Sequence, residues 1–79
     1  MNVKILSPEK TLFQGKASLI EVPGEKGRFQ ILVNHATIVS TLEKGRIRIV
    51  TEDNKEENFE IKSGVIEHHQ NESIILVET

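Results

Sequence analysis

The sequence contains only three imidazoles, His35, His68 and His69. They could ligate a metal or move protons near neutral pH. Adjacent side chains on a strand point to opposite faces, so His68 and His69 cannot easily share one ion. They read as solvent-exposed or core-edge imidazoles, and no metal site is expected. A Ser–His–acid relay can be written from Ser40, His35 and any of many carboxylates. No serine sits on a nucleophile elbow, so no catalytic residue is expected either. Gly24-Glu25-Lys26-Gly27 has the composition of a phosphate loop. It lacks the GxxxxGK[ST] spacing and no helix follows to aim amides at an anion. It reads as a hairpin loop. Asp53, Glu56 and Glu57 fall in the acidic stretch Glu52 to Glu60, without the glycine-centred spacing of a calcium loop. That stretch reads as a solvated hairpin tip. No cofactor is implied.

Composition narrows the functional classes. The chain has 79 residues, 12 acidic and 10 basic, for a net charge of −2, with no cysteine. One domain of this size buries only about 60% of the surface its unfolded chain exposes. Its core supplies no more than roughly 3–5 kcal/mol of net stability. Disulfides and thiolate metal sites are unavailable to reinforce it, so support from a partner is expected. Interspersed charge and only Phe13, Phe29 and Phe59 as aromatics argue against nucleic-acid binding, which needs a basic face and stacking platforms. No apolar run is long enough for a signal peptide or a membrane span.

The elements that must position these residues are strands. Val3 and Ile5 flank Lys4. Ile47 and Ile49 alternate with Arg46 and Arg48, and Phe59 and Ile61 with Asn58, Glu60 and Lys62. This period of two marks half-buried strands. Breaks fall at Ser7-Pro8-Glu9-Lys10, Pro23 to Gly27, Lys44-Gly45, Asp53-Asn54-Lys55, Ser63-Gly64 and Gln70-Asn71-Glu72. Lys44-Gly45 and Asp53-Asn54-Lys55 read as hairpin turns. Gly15, inside a strand-like stretch, predicts a bulge or bend. Asn34 to Leu42 has some helical spacing, but its β-branched residues oppose a helix. The expectation is a single all-β domain over 1–79. It is a small flattened sandwich or barrel of roughly eight to ten short antiparallel strands.

The ordered set of segments resembles the β-sandwich domain of F-type ATP synthase epsilon subunits. Ser7-Pro8-Glu9-Lys10-Thr11-Leu12-Phe13-Gln14-Gly15 is similar to the family's opening. Val22-Pro23-Gly24-Glu25-Lys26-Gly27-Arg28-Phe29, followed by Asn34-His35-Ala36, resembles its next block. Leu42 to Ile49 resembles its Leu-x-x-Gly-x-Leu/Ile-x-Ile segment. Ser63-Gly64-Val65-Ile66-Glu67 and Ile74 to Glu78 resemble its last strands. The family usually carries Phe/Leu-Gly-Val-Leu-Pro-Gly-His-Ala-Pro after the second block. This chain has Gln30 for the first glycine, Val33-Asn34 for Pro-Gly and Thr37 for the last proline. Asn34 can take the left-handed conformation such a turn needs.

The resemblance implies a non-catalytic rotor subunit that links the gamma subunit to the c ring and supports coupling of ion flow to ATP synthesis. It implies a peripheral location on the cytoplasmic side of the membrane, without direct membrane insertion. It implies partner contacts through Arg28, Gln30, Val33, Asn34, His35, Thr37 and Ser40. The end holding Arg28 would face the ring, and His35 to Ser40 would approach gamma. Arg28 stands where relatives often carry an acid. The family's two-helix C-terminal domain has no counterpart before Thr79, so neither ATP binding by this chain alone nor inhibition through an extended arm is expected. The alternative is a biotin or lipoyl carrier domain. Lys44 and Lys55 sit at turns as a carrier lysine must, but lack the methionine flanks of biotin carriers.

Overall fold

The computed structural model describes residues 1–79. It contains eight strands and no helix. They are β1 (Asn2–Leu6), β2 (Thr11–Gly24), β3 (Gly27–Leu32), β4 (Ile38–Leu42), β5 (Gly45–Thr51), β6 (Glu56–Ile61), β7 (Ser63–His69) and β8 (Glu72–Glu78). The molecule is flattened, with Cα extents of 26 × 24 × 17 Å.

β2 decides the architecture. Fourteen residues at about 3.3 Å each would span about 46 Å if straight, far more than the molecule's longest extent. The strand must bend, and it changes partners as it does. Thr11 to Lys16 pair with β1. Ala17 to Glu21 pair with β5, and Leu19 to Gly24 with β3. Gly24 finally touches Leu42 of β4. The register slips between Ala17 and Leu19. Ser18 is the extra residue, and its hydroxyl donates to the Val50 carbonyl at 3.3 Å. A bulge of this kind kinks a strand and re-aims it. Gly15 keeps register with Val3, so the bend comes a few residues later than the glycine suggests.

The result is two layers. One holds β3, the second half of β2, β5 and β6. The other holds the first half of β2, β1, β8, β7 and β4. Between them lie Val3, Ile5, Ala17, Ile20, Val22, Ile31, Leu42, Ile47, Ile49, Ile61, Ile66, Ile75 and Val77. Alternation supplies them: β8 reads exposed–buried from Glu72 to Glu78 without a break. Phe13 and Phe59 close one edge with rings 6.0 Å apart, edge to face.

The structure departs from the sequence reading in three places. β1 and β8 run parallel; no tight turn joins them, so nothing imposes the antiparallel sense. Lys44-Gly45 is not a hairpin turn. β4 pairs with β7, and β5 pairs with β2 and β6, so the chain crosses there from one layer to the other. Ser63-Gly64 likewise lies within β7, just after the crossing from β6. True hairpins close across Ser7 to Lys10, at Glu25-Lys26, across Asp53-Asn54, and at Gln70-Asn71. Gln70 and Asn71 both have positive φ (49° and 59°), the requirement of a type I′ turn.

Candidate partner interface

The two outer faces differ in chemistry. On the β3–β2–β5–β6 layer, cross-strand pairing aligns Gln30, Glu21, Arg48 and Asn58 in one row. Arg48 Nε donates to the Glu21 carboxylate at 2.9 Å, and its Nη1 reaches Glu56 at 3.4 Å. Arg28 lies 3.6 Å from the same Glu21 oxygen. The Arg48 hydrogen bond, more than the charge of Arg28, holds the Glu21 carboxyl below its ordinary range. The same bond raises the Arg48 guanidinium.

The opposite face carries an apolar strip. Pairing aligns Thr41, Val65, Leu76 and Leu6 in one row, and Val39, Glu67, Ile74 and Lys4 in the next. Val39 is 65% exposed and Leu76 53%, with Val65 and Ile74 more than 40% exposed. An antiparallel sheet ordinarily keeps one face polar. The sequence signal was the unbroken run Ile74-Ile75-Leu76-Val77, which leaves β8 apolar on both faces. Sequence reasoning used that run to exclude a membrane span and to place the last strand, and missed the surface it makes.

The seven anticipated contact residues fall into separate groups. Asn34, His35 and Thr37 lie together, against the β7–β8 turn. The Asn34 amide donates to Asn71 Oδ1 at 2.7 Å, and Asn71 Nδ2 returns a bond to Asn34 Oδ1 at 2.9 Å. Thr37 Oγ1 meets His69 Nδ1 at 3.3 Å. Asn34 has φ 68° and the His35 amide donates to the Leu32 carbonyl at 3.0 Å, so the turn forms without Pro-Gly. Val33 projects from it, half exposed, beside Leu32. Arg28 and Gln30 belong to the charged face. Arg28 and Gly24 to Phe29 line a groove whose far wall is Ile38 to Thr41 of β4. Ser40 lines that groove, but it pairs with buried Ile66 and is half-buried, on the inward side of β4. The outward residue next to it is Val39.

The histidines also separate. His69 is exposed, whereas His68 is fully buried, not at the core edge. Its Nδ1 lies 2.6 Å from Ser73 Oγ, and the His35 ring stands edge-on at 6.0 Å. Burial lowers the His68 imidazole below its ordinary value, and coupling to the neighbouring His35 lowers it further.

The model of the ATP synthase delta/epsilon chain β-sandwich domain matches residues 1–79. The chain belongs to this family. An ATP synthase epsilon chain of Chlorobium limicola is 35% identical over 74 residues, covering 94% of this chain and 84% of the relative. One from Sulfurimonas denitrificans is 36% identical over 78 residues, covering 99% and 60%. One from Dichelobacter nodosus is 37% identical over 76 residues, covering 96% and 53%. The chain thus spans most of the first relative and little more than half of the last two. In fold it resembles a chain of the Euglena gracilis mitochondrial ATP synthase, in a structure of OSCP, F1 and the c-ring. The TM-score is 0.91 at 16% identity, over 98% of this chain and 49% of that one. A chain of the Tetrahymena thermophila mitochondrial ATP synthase central stalk and c-ring matches with TM-score 0.81 at 22% identity, over 100% and 63%. On this family member, Val39, Val65, Ile74 and Leu76 stand exposed on one face, and Val33 is half exposed on the turn.

Proposed function

We propose that this chain is the epsilon component of the ATP synthase rotor, joining gamma to the c ring and supporting the coupling of ion flow to ATP synthesis. The observation that carries it is the match of an epsilon-type β-sandwich to the whole chain, 1–79. The two unlike faces support it. The apolar strip Val39, Val65, Ile74 and Leu76 suits a lasting protein–protein contact, since exposed apolar patches mark such sites. It begins at Val39, inside the His35–Ser40 segment assigned to gamma. Arg28 and Gln30 lie on the charged face, which suits the polar loops of a ring. The chain carries no chemistry in this reading. It positions gamma on the ring at the cytoplasmic side of the membrane, and no helix in it is long and apolar enough to cross one.

An epsilon-depleted enzyme rebuilt with this chain in vesicles tests the reading. Recovery of ATP-driven proton pumping and capture of gamma by the tagged chain are expected. Failure to bind gamma in that assay refutes it. Titration calorimetry of the chain alone with ATP should give no saturable micromolar binding. Added to the depleted enzyme, the chain should restore coupling without strongly inhibiting hydrolysis.

A further inference from the structure

His68 is buried in a way that makes the loop above it sensitive to acid. Three elements adjoin the ring on its own side of the sandwich. β4 contributes Ile38 and β8 contributes Ser73, each paired to His68 in a backbone ladder. The third element is loop 33–37, whose His35 ring lies against His68. That loop has no ladder. It is held by the reciprocal Asn34–Asn71 amide pair, the Thr37–His69 contact and its own turn bond. Of the three covers, the loop opens most readily, because exposed side-chain bonds are easier to break than paired strands.

A neutral imidazole carries one N–H. With Nδ1 engaged by Ser73, Nε2 is buried and makes no hydrogen bond. Protonation puts a hydrogen on both nitrogens, and in the closed state Nε2 has no hydrogen-bond partner to receive it. Unpaired buried donors and charges are strongly unfavourable. No anion stands nearby to compensate. The ionisable groups acting on the ring are His35 from the loop, the Met1 ammonium beside β1, and His69 on its own strand. Each is cationic or neutral. The residues paired to it from β4 and β8, Ile38 and Ser73, are uncharged. The His35 backbone favours the charged ring, but less than burial opposes it.

We propose that loop 33–37 is an acid-released latch: protonation of His68 frees the loop from the β7–β8 turn, so that the ring reaches water. Resting on the function proposed above, the gamma contact carried by His35 and Thr37 weakens with it.

The sign follows from linkage. The open state has an ordinary histidine titrating near 6.5 and binds protons more readily than the closed state. Opening therefore rises as pH falls below about 6.5, by up to about tenfold per unit, until the closed form itself titrates. Residue-resolved amide exchange of the 79-residue chain between pH 7 and 5, corrected for intrinsic rates, reads this directly. The Asn34 amide should lose protection at that slope while Ile49 and Ile75 keep theirs. A flat Asn34 profile, or one that falls in step with Ile49, overturns the latch, the second because it reports global unfolding. The double variant His68→Leu with Ser73→Ala removes both buried polar partners and should flatten the slope; a persistent slope also overturns the proposal. Gamma capture at pH 7 and 5.5 separates the two claims. Acid-weakened capture by the native chain and not by the variant is expected. Constant capture beside a confirmed exchange slope leaves the latch standing and overturns its link to the partner.

Discussion

The guanidinium of Arg28 shares the Glu21 carboxylate with Arg48, so it is already partnered within the chain. Its planar fork still has donors free for carboxylates or carbonyls on a partner loop. Arg28→Glu should keep the fold and weaken ring attachment and proton pumping in rebuilt membranes. Because the new carboxylate would also face Glu21, Arg28→Gln serves as the control for repulsion. Unchanged pumping and ring binding at low and high salt for both variants would remove Arg28 from the interface. Glu21 makes a pH prediction of its own. Its folded carboxyl titrates below the ordinary range, chiefly through the Arg48 bond. The stability it adds is present above the unfolded value near 4.3–4.5 and is lost as pH falls through the folded value. Glu21→Gln should therefore flatten the acid side of a stability–pH curve measured by urea melts. An unaltered curve would show that the charged row is decorative.

At the scale of elements, close approach between β7 and β8 depends on Gly64. A Cβ there would stand 2.7 Å from the Leu76 carbonyl oxygen and 3.2 Å from Val77 Cγ1. Backbone cannot yield as a flexible side chain can. Gly64→Ala should destabilise the chain by about 1–3 kcal/mol, the usual range for forced overpacking, seen as a lowered urea midpoint at unchanged m-value. An unshifted midpoint would show that the two strands can part there at little cost. Hairpin turns were legible where the turn residues demand them: Glu25-Lys26 between two glycines, and Gln70-Asn71. Lys44-Gly45 looked equivalent in sequence. It is a crossing between layers because β4 finds its partner in β7, twenty-odd residues later, and no local signal records that.

For the molecule as a whole, the asymmetry of its faces supports the proposed function. A Lys at position 76 leaves the core untouched, since Leu76 is half exposed and points away from Ile75 and Val77. Leu76→Lys should fold normally and lose gamma capture at least tenfold, because a charge buried at an apolar contact is left unpaired. Ile75→Ala, one residue away and fully buried, should instead cost about 2–5 kcal/mol of stability. If Leu76→Lys binds gamma as the native chain does, the apolar strip is not the docking face. In a domain this small, partner binding adds to stability by mass action, so the apolar surface is consistent with a subunit that works inside an assembly.

The sequence by itself determined the class of fold and the layer each strand side faces, because a period of two sorts Val3, Ile5, Ile47, Ile49 and Ile61 inward regardless of what lies opposite. It also carried the family, through motifs spread in order along the chain. Only the tertiary structure decided which strands are neighbours, that β1 and β8 run parallel, and that β2 bends at Ser18 to serve both layers. It alone buried His68, put Ser40 on the inward side, and parted Arg28 from the Asn34–His35 turn. Alternation is a property of adjacent residues and survives in a linear string. Pairing partners, outward-face neighbours and the desolvation of one imidazole depend on residues far apart in sequence, and exist only once the sandwich has closed.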